Sequence, residues 1–294
     1  MSGGAIGRPG SSTIATRGAF RIEGGVLRLP WGPRAVAIGF VLAAATFVLS
    51  LFTIRVLADA AGHAASIGGA EDIFAAGRMV VAYGDERLRG AAAGTQLPAH
   101  PAVLGDALTA RIAYAVALLQ AALFVGVAAV AVRRSPLALL RRLGLGRPDA
   151  VALWRPALAT LCLYGGVVAY AALVRALSID ALRADDAVPR AVANDGAALA
   201  LFALVSLGLA PFAEEVLFRG VVFGGLAAWG FWPAATVSAV LFAGAHLDAA
   251  TFVPFVVIGL TLCWLFWLQG SLWESIACHF LFNFTSFLVF LGGR

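Results

Sequence analysis

The sequence predicts an all-α, polytopic transmembrane bundle of seven to eight spans, and three observations carry that prediction. Of 294 residues, 61% are hydrophobic and 13% charged, and mean hydropathy is +0.91. Soluble domains run at about 45–50% apolar and about 25% charged, so a soluble core has no room for this much apolar surface. Apolar runs recur at about 35–57, 112–132, 157–177, 197–229, 233–248, 252–269 and 272–292. Most approach the roughly 20 residues that cross a bilayer as a helix. The connections between runs also alternate in charge.

All 21 basic residues are Arg. Five Arg and one Glu fall in residues 1–34, and six Arg and one Asp in 133–155. Residues 58–111 hold six acids and four Arg, and 178–196 hold four Asp and two Arg. The positive-inside rule then places the N-terminus and the 133–155 loop in the cytoplasm. These Arg flank apolar spans, so the expected surroundings are a lipid bilayer, with no nucleic acid. Arg-only, Ala-rich usage points to a GC-rich bacterial genome, hence a multi-pass protein of a bacterial inner membrane.

Residues 1–30, rich in Gly, Ser and Arg, read as a disordered cytoplasmic tail. The run 35–57 starts too late and is too long for a cleavable signal, so it is the first retained span. Residues 31–196 form N-terminal transmembrane helices interrupted by a long loop, 58–111, with a short helix around 71–83. Residues 136–147 alternate Leu clusters with Arg pairs and read as an interfacial segment. Residues 197–294 form the C-terminal transmembrane helices. As one helix, 197–229 would be about 50 Å long against a core of about 30 Å. Gly208 and Pro211 can kink it, so it is one tilted helix or two pieces, which gives seven or eight spans. Trp229 and Trp232 flank Gly230, and Trp264, Trp267 and Trp273 flank residues 269–271, which puts both turns at one interface. Cys162, Cys263 and Cys278 read as small buried side chains, with no CxxC or disulfide pattern.

An ionisable residue in a lipid-embedded helix is expensive and marks function. The C-terminal third carries Glu214, Glu215, Arg219, His246, His279 and Asn283. Counted from the flanking turns, most of them lie about 20–24 Å deep on three different helices, with His279 about 6 Å shallower. Glu215 and Arg219, Phe242 and His246, and His279 and Asn283 are each four apart and so share a face. Glu215–Arg219 reads as a neutralising brace, and Glu214, about 100° round the helix, as the working carboxylate. A carboxylate and an imidazole can activate water for peptide hydrolysis, while a second His and an Asn amide donate to the oxyanion. Alternatively Glu214, His246 and His279 can bind Zn²⁺ with an open position for water. Neither HExxH nor GxSxG is present. Competing readings are a non-catalytic scaffold in which the pair braces and Asn283 joins helices, and a small transporter using the acids as a proton relay.

The segments Glu214-Glu215-Val216-Leu217-Phe218-Arg219, Phe242-Ala243-Gly244-Ala245-His246 and His279-Phe280-Leu281-Phe282-Asn283 resemble the EExxxR, FxxxH and HxxxN motifs of the CPBP family. That family comprises type II CAAX prenyl endopeptidases and bacteriocin-processing or immunity proteins. The resemblance covers about residues 200–290 and implies an intramembrane endopeptidase acting on a membrane-associated peptide or protein. It implies water activation by Glu214 and His246, oxyanion stabilisation by His279 and Asn283, and support from Glu215 and Arg219. The family has been described both as metal-dependent and as glutamate-dependent, so Zn²⁺ stays open.

Overall fold

The computed structural model describes residues 21–23, 26–62, 73–93, 106–145, 153–179, 182–184 and 190–292. It is a helical bundle: α1 (Pro33–Ala60), α2 (Ile73–Ala93), α3 (Ala107–Ala131), α4 (Pro136–Arg142), α5 (Trp154–Ala176), α6 (Gly196–Trp229), α7 (Phe231–Ala245), α8 (Ala249–Gln269) and α9 (Trp273–Gly292). Six of these, α1, α3, α5, α6, α8 and α9, are long and apolar enough to cross a membrane. α7 is apolar but has only 15 residues, about 22 Å of helix. It stops short of a bilayer's thickness and leaves His246 at its C-terminal end.

Three expectations need correction, and one open alternative is decided. Arg21–Glu23 and Val26–Arg28 pair as a two-stranded antiparallel hairpin where a disordered tail was expected. The register pairs Arg21 with Arg28, Ile22 with Leu27 and Glu23 with Val26. Residues 1–20 lie outside the described residues. The short helix around 71–83 is longer, Ile73–Ala93. Of the two alternatives for 197–229, the structure takes the first, one continuous helical rod. Finally, Cys162 is exposed on the bundle's outer surface, while Cys263 and Cys278 are buried.

One end of the bundle, the near end, carries the start of α1 and the turns at Gly230 and Gly270, both at positive φ. Phe231 meets Trp267 there, with ring centroids 5.5 Å apart, so the two turns share an end as the Trp pattern predicts. α4 packs below them through buried Leu139 and Leu143. Ser271 Oγ donates to Gly144 O at 2.9 Å, and Leu272 N to Leu143 O at 3.0 Å.

The far end is built on aspartates. Asp106, Asp195 and Asp248 cap α3, α6 and α8, accepting from Thr109 N, Ala198 N and Ala250 N at 2.8, 2.8 and 2.9 Å. Each places a carboxylate where the helix dipole and the free N–H groups favour it. Asp195 also takes Arg111 Nε at 2.8 Å. That guanidinium, and then the Ala198 amide, pull its carboxyl from the ordinary 3.8 down to about 2. A carboxyl lowered on folding stabilises fully above its unfolded value, about 3.9, and the contribution disappears as pH falls through the folded value. Thermal unfolding in detergent is therefore expected to lose a component between about pH 4 and pH 2 that Asp195→Asn lacks at every pH.

α7 packs closely on α8. A Cβ added at Gly259 would meet Ala239 Cα at 2.8 Å. That atom is backbone, so the helices must part. Gly259→Ala is expected to lower stability by about 1–3 kcal/mol, read as a reduced melting temperature in detergent.

Candidate active site

α6 is not a regular α-helix. Val205–Leu209 and Glu215–Phe223 are π-helical, with i→i+5 bonding. Such widened turns cluster at functional sites. Pro211 accounts for part of the first. It has no N–H, so in i→i+5 register it cannot bond to Ser206 O, while Ala210 N is already committed to Val205 O. Asn283 of α9 supplies the missing donor, Nδ2 to Ser206 O at 2.8 Å. The second widened turn is buttressed from outside: Ser238 Oγ of α7 donates to Phe218 O at 2.8 Å, and Trp31 Nε1 to Gly220 O at 3.2 Å.

On this widened helix the two acids separate in environment. Glu215 and Arg219 are both 0% exposed and joined at 2.8 Å, Nη1 to Oε1. Arg219 Nη2 also reaches Gly259 O at 3.4 Å, and its guanidinium lies 4.3 Å above the centre of the Phe242 ring. The close α7–α8 approach at Gly259 thus brings a carbonyl to the guanidinium. Glu214 keeps a 24% exposed side chain and lines a cavity.

His279 is held by the brace. Its Nδ1 lies 2.9 Å from Glu215 Oε1, the same oxygen that takes Arg219. Facing a carboxylate, Nδ1 carries the proton, which directs Nε2 toward Glu214 Oε2 at 3.8 Å. His246 is oriented by its own helix, with Nδ1 2.8 Å from Phe242 O. A carbonyl only accepts, so Nδ1–H donates and the neutral ring keeps its lone pair on Nε2. Phe242 packs edge-on against both imidazoles, 4.9 Å from His246 and 5.7 Å from His279 between ring centres. It separates and orients the two rings, a role beyond sharing a face with His246.

Glu214, His246, His279 and Asn283 line one cavity of about 200 Å³, together with Tyr114, Phe202, Ser206 and Phe255. Glu215 and Arg219 sit behind its wall. The six polar residues of three sequence motifs therefore converge as the shared-depth argument predicts. Among the described residues, no three or more His, Cys, Asp or Glu side chains are grouped closely enough to hold an ion.

Three contributors escaped the sequence reading. Ser238 stands four residues before Phe242 on the same face of α7, a small polar residue at helical spacing from a motif position, and that was a usable signal. Ser206 contributes a backbone carbonyl, and Trp31 reaches Gly220 across 189 positions of sequence. Neither leaves a local pattern. Asp248 and Glu274, also polar and near the turns, do other work: Asp248 caps α8, and Glu274 takes Arg155 at 3.2 Å and Gln269 at 2.8 Å.

Comparison with known proteins agrees with this geometry. Residues 196–285 match the family model described as Type II CAAX prenyl endopeptidase Rce1-like. Over 87 residues the chain is 30% identical to the protein named "Putative membrane peptidase YdiL" of Bacillus subtilis (strain 168), a stretch covering 29% of this chain and 36% of that relative. The chain thus spans about a third of the length of the relative it matches. No solved structure matches. The matched residues span all three motifs, and residues 196–285 accordingly resemble the Rce1-like type II CAAX prenyl endopeptidase domain.

Proposed function

We propose that this protein is an endopeptidase that hydrolyses a peptide bond in a membrane-associated peptide or protein. The observation that carries the reading is the single cavity shared by Glu214, His246, His279 and Asn283 inside the bundle. Glu214 accepts a proton from a water that also hydrogen-bonds to His246 Nε2, and the water oxygen attacks the peptide carbonyl carbon. The carbonyl oxygen becomes an oxyanion that takes hydrogen bonds from His279 and from the second Nδ2–H of Asn283. An imidazolium at His279 donates from both nitrogens, Nδ1 to Glu215 and Nε2 into the cavity. As the C–N bond breaks, the proton held by Glu214 passes to the leaving amine. The products are a carboxylate and an ammonium group, the amine taking its second proton from the new acid hydroxyl.

The two carboxylates and one guanidinium sum to one negative charge, and a cationic His279 balances it. That balance favours a site where oxyanion charge can develop without a metal. Cleavage by the purified protein is expected to persist in chelator. Zinc recovered at one equivalent, with activity lost on its removal, would replace this reading with a Zn²⁺ site on Glu214, His246 and His279.

The charge pattern supports a cytoplasmic near end and an N-terminus in the cytoplasm of a bacterial inner membrane. Labelling of single cysteines placed at the two ends in intact cells checks this.

The test of activity uses protein in liposomes and a panel of dye–quencher peptides, each with an apolar segment of about 20 residues. Wild type is expected to release fluorescence, and Glu214→Ala to release none. If the two behave alike, the residues serve packing in a scaffold or immunity protein. Proton flux that depends on Glu214 in the same liposomes would move the assignment to a transporter.

A further inference from the structure

The lipid-facing surface between α5 and α8 holds an apolar groove of about 660 Å³, larger than the catalytic cavity. Its rim side chains Leu158, Val253, Val257, Trp264 and Leu268 are 45–51% exposed on the outside of the bundle. The groove shares Val167, Tyr170 and Pro254 with a second cavity of about 610 Å³. That cavity in turn shares His246, Phe255 and Asn283 with the catalytic one. Walls in common thus run from lipid to the reacting groups.

The junction has a specific construction. Pro254 lies inside α8 and has no N–H to give to Ala250 O. Tyr170 of α5 donates its hydroxyl to that carbonyl at 3.4 Å. This is a long, weak hydrogen bond, and it is the polar tie across the α5–α8 seam between groove and inner cavity. Beyond it the lining changes character, from apolar residues to a wall that includes Arg175, Ser206, Thr251 and Asn283.

We propose that the α5–α8 groove receives an apolar segment of the peptide substrate laterally from the bilayer, and that Tyr170 is the latch it passes to reach Glu214. The proposal rests on the peptidase reading and adds a route and a substrate class to it. A peptide is the occupant that uses both halves of the path. Its apolar side chains match the groove, and an unwinding backbone needs the donors and acceptors met farther in, since unpaired peptide groups are costly in lipid. A hydrocarbon chain gains nothing from that polar wall. A second mouth, about 410 Å³ between α1, α3 and α6 and lined by Phe40, Phe47, Phe124, Glu214 and His246, is the competing entrance.

The test needs no turnover. Glu214→Gln protein in liposomes is irradiated with a 20-residue Leu/Ala peptide carrying a diazirine at its centre, and the adducts are mapped by mass spectrometry. Adducts are expected on Leu158, Cys162, Val257 and Thr261. Adding Tyr170→Phe should shift them severalfold toward Phe255 and Phe282, and Val257→Trp, which fills the groove from its exposed rim, should reduce them at least fivefold. The proposal is overturned by adducts confined to α1 and α3, by adducts spread evenly over all lipid-facing helices, or by no response to Val257→Trp. It is equally overturned if a diazirine-bearing phospholipid labels the same residues and the peptide does not displace it. Because binding is read on an inert variant, failure here leaves the cleavage assay standing, and absent cleavage leaves this map standing.

Discussion

Glu214→Gln is expected to lower the cleavage rate by about 10²–10⁴ with little change in melting temperature. That range is what removal of a general base costs. The amide keeps the shape of the carboxylate but cannot take a proton from water. Stability should hold because Glu214 is 24% exposed and its nearest ionic partner, His279 Nε2, stands at 3.8 Å, too far for a hydrogen bond. His246→Ala should cost a similar factor, since its Nε2 is the other acceptor for the same water. Residues that act as a unit are not additive, so the double variant should fall little below either single one. A product of the two single losses would show that they act on separate steps. Asn283 differs in kind. Its Nδ2 holds Ser206 O at 2.8 Å, so Asn283→Ala should lose both activity and about 1–3 kcal/mol of stability through the unpaired carbonyl. Pro211→Ala, which restores an N–H opposite that carbonyl, separates the two effects: combined with Asn283→Ala it should recover stability and leave activity low.

What the sequence made legible follows from where the information sits. Hydropathy and charge locate spans because lipid acts on every residue of a helix, so α1, α3, α5, α8 and α9 fall within a few residues of their apolar runs. The i,i+4 pairs mark a site because an unpaired charge in lipid is intolerable, and Glu215–Arg219 pairs as its spacing requires. The π-helical turns of α6 were not legible. Gly208 and Pro211 announce an irregularity, but whether the chain kinks, breaks or widens depends on donors from elsewhere. Those are Asn283, Ser238 and Trp31, tens to hundreds of positions away. The short α7 was hidden for a related reason. Its apolar run continues toward Asp248, and only the Asp248 cap, by starting α8 at Ala249, fixes the turn that places His246 at a helix end. The His279–Glu215 contact, which decides how the imidazole points, crosses 64 positions and appears only with coordinates.

Arg219→Met should produce the largest loss of stability of any single replacement in the site. Breaking a buried ion pair by removing one partner costs about 3–5 kcal/mol, because the other charge stays behind without compensation. Here Glu215 would be left at 0% exposure with only His279 against it. The pair is not optimised for stability. Glu215 Oε1 serves both Arg219 Nη1 and His279 Nδ1, while Glu215 Oε2 and Arg219 Nε have no hydrogen-bond partner among the described residues. An apolar pair of similar volume would pack at least as well, since such replacements are often neutral or stabilising. The double variant Glu215→Gln/Arg219→Met is therefore expected to regain most of the melting temperature lost by Arg219→Met alone. Its cleavage rate should stay low, because a neutral amide no longer fixes the His279 tautomer or balances its charge. Recovery of stability without activity would identify the buried pair as the anchor of His279. Recovery of both would show that the imidazole needs no such anchor, and the counter-charge to a cationic His279 would then come from Glu214 alone.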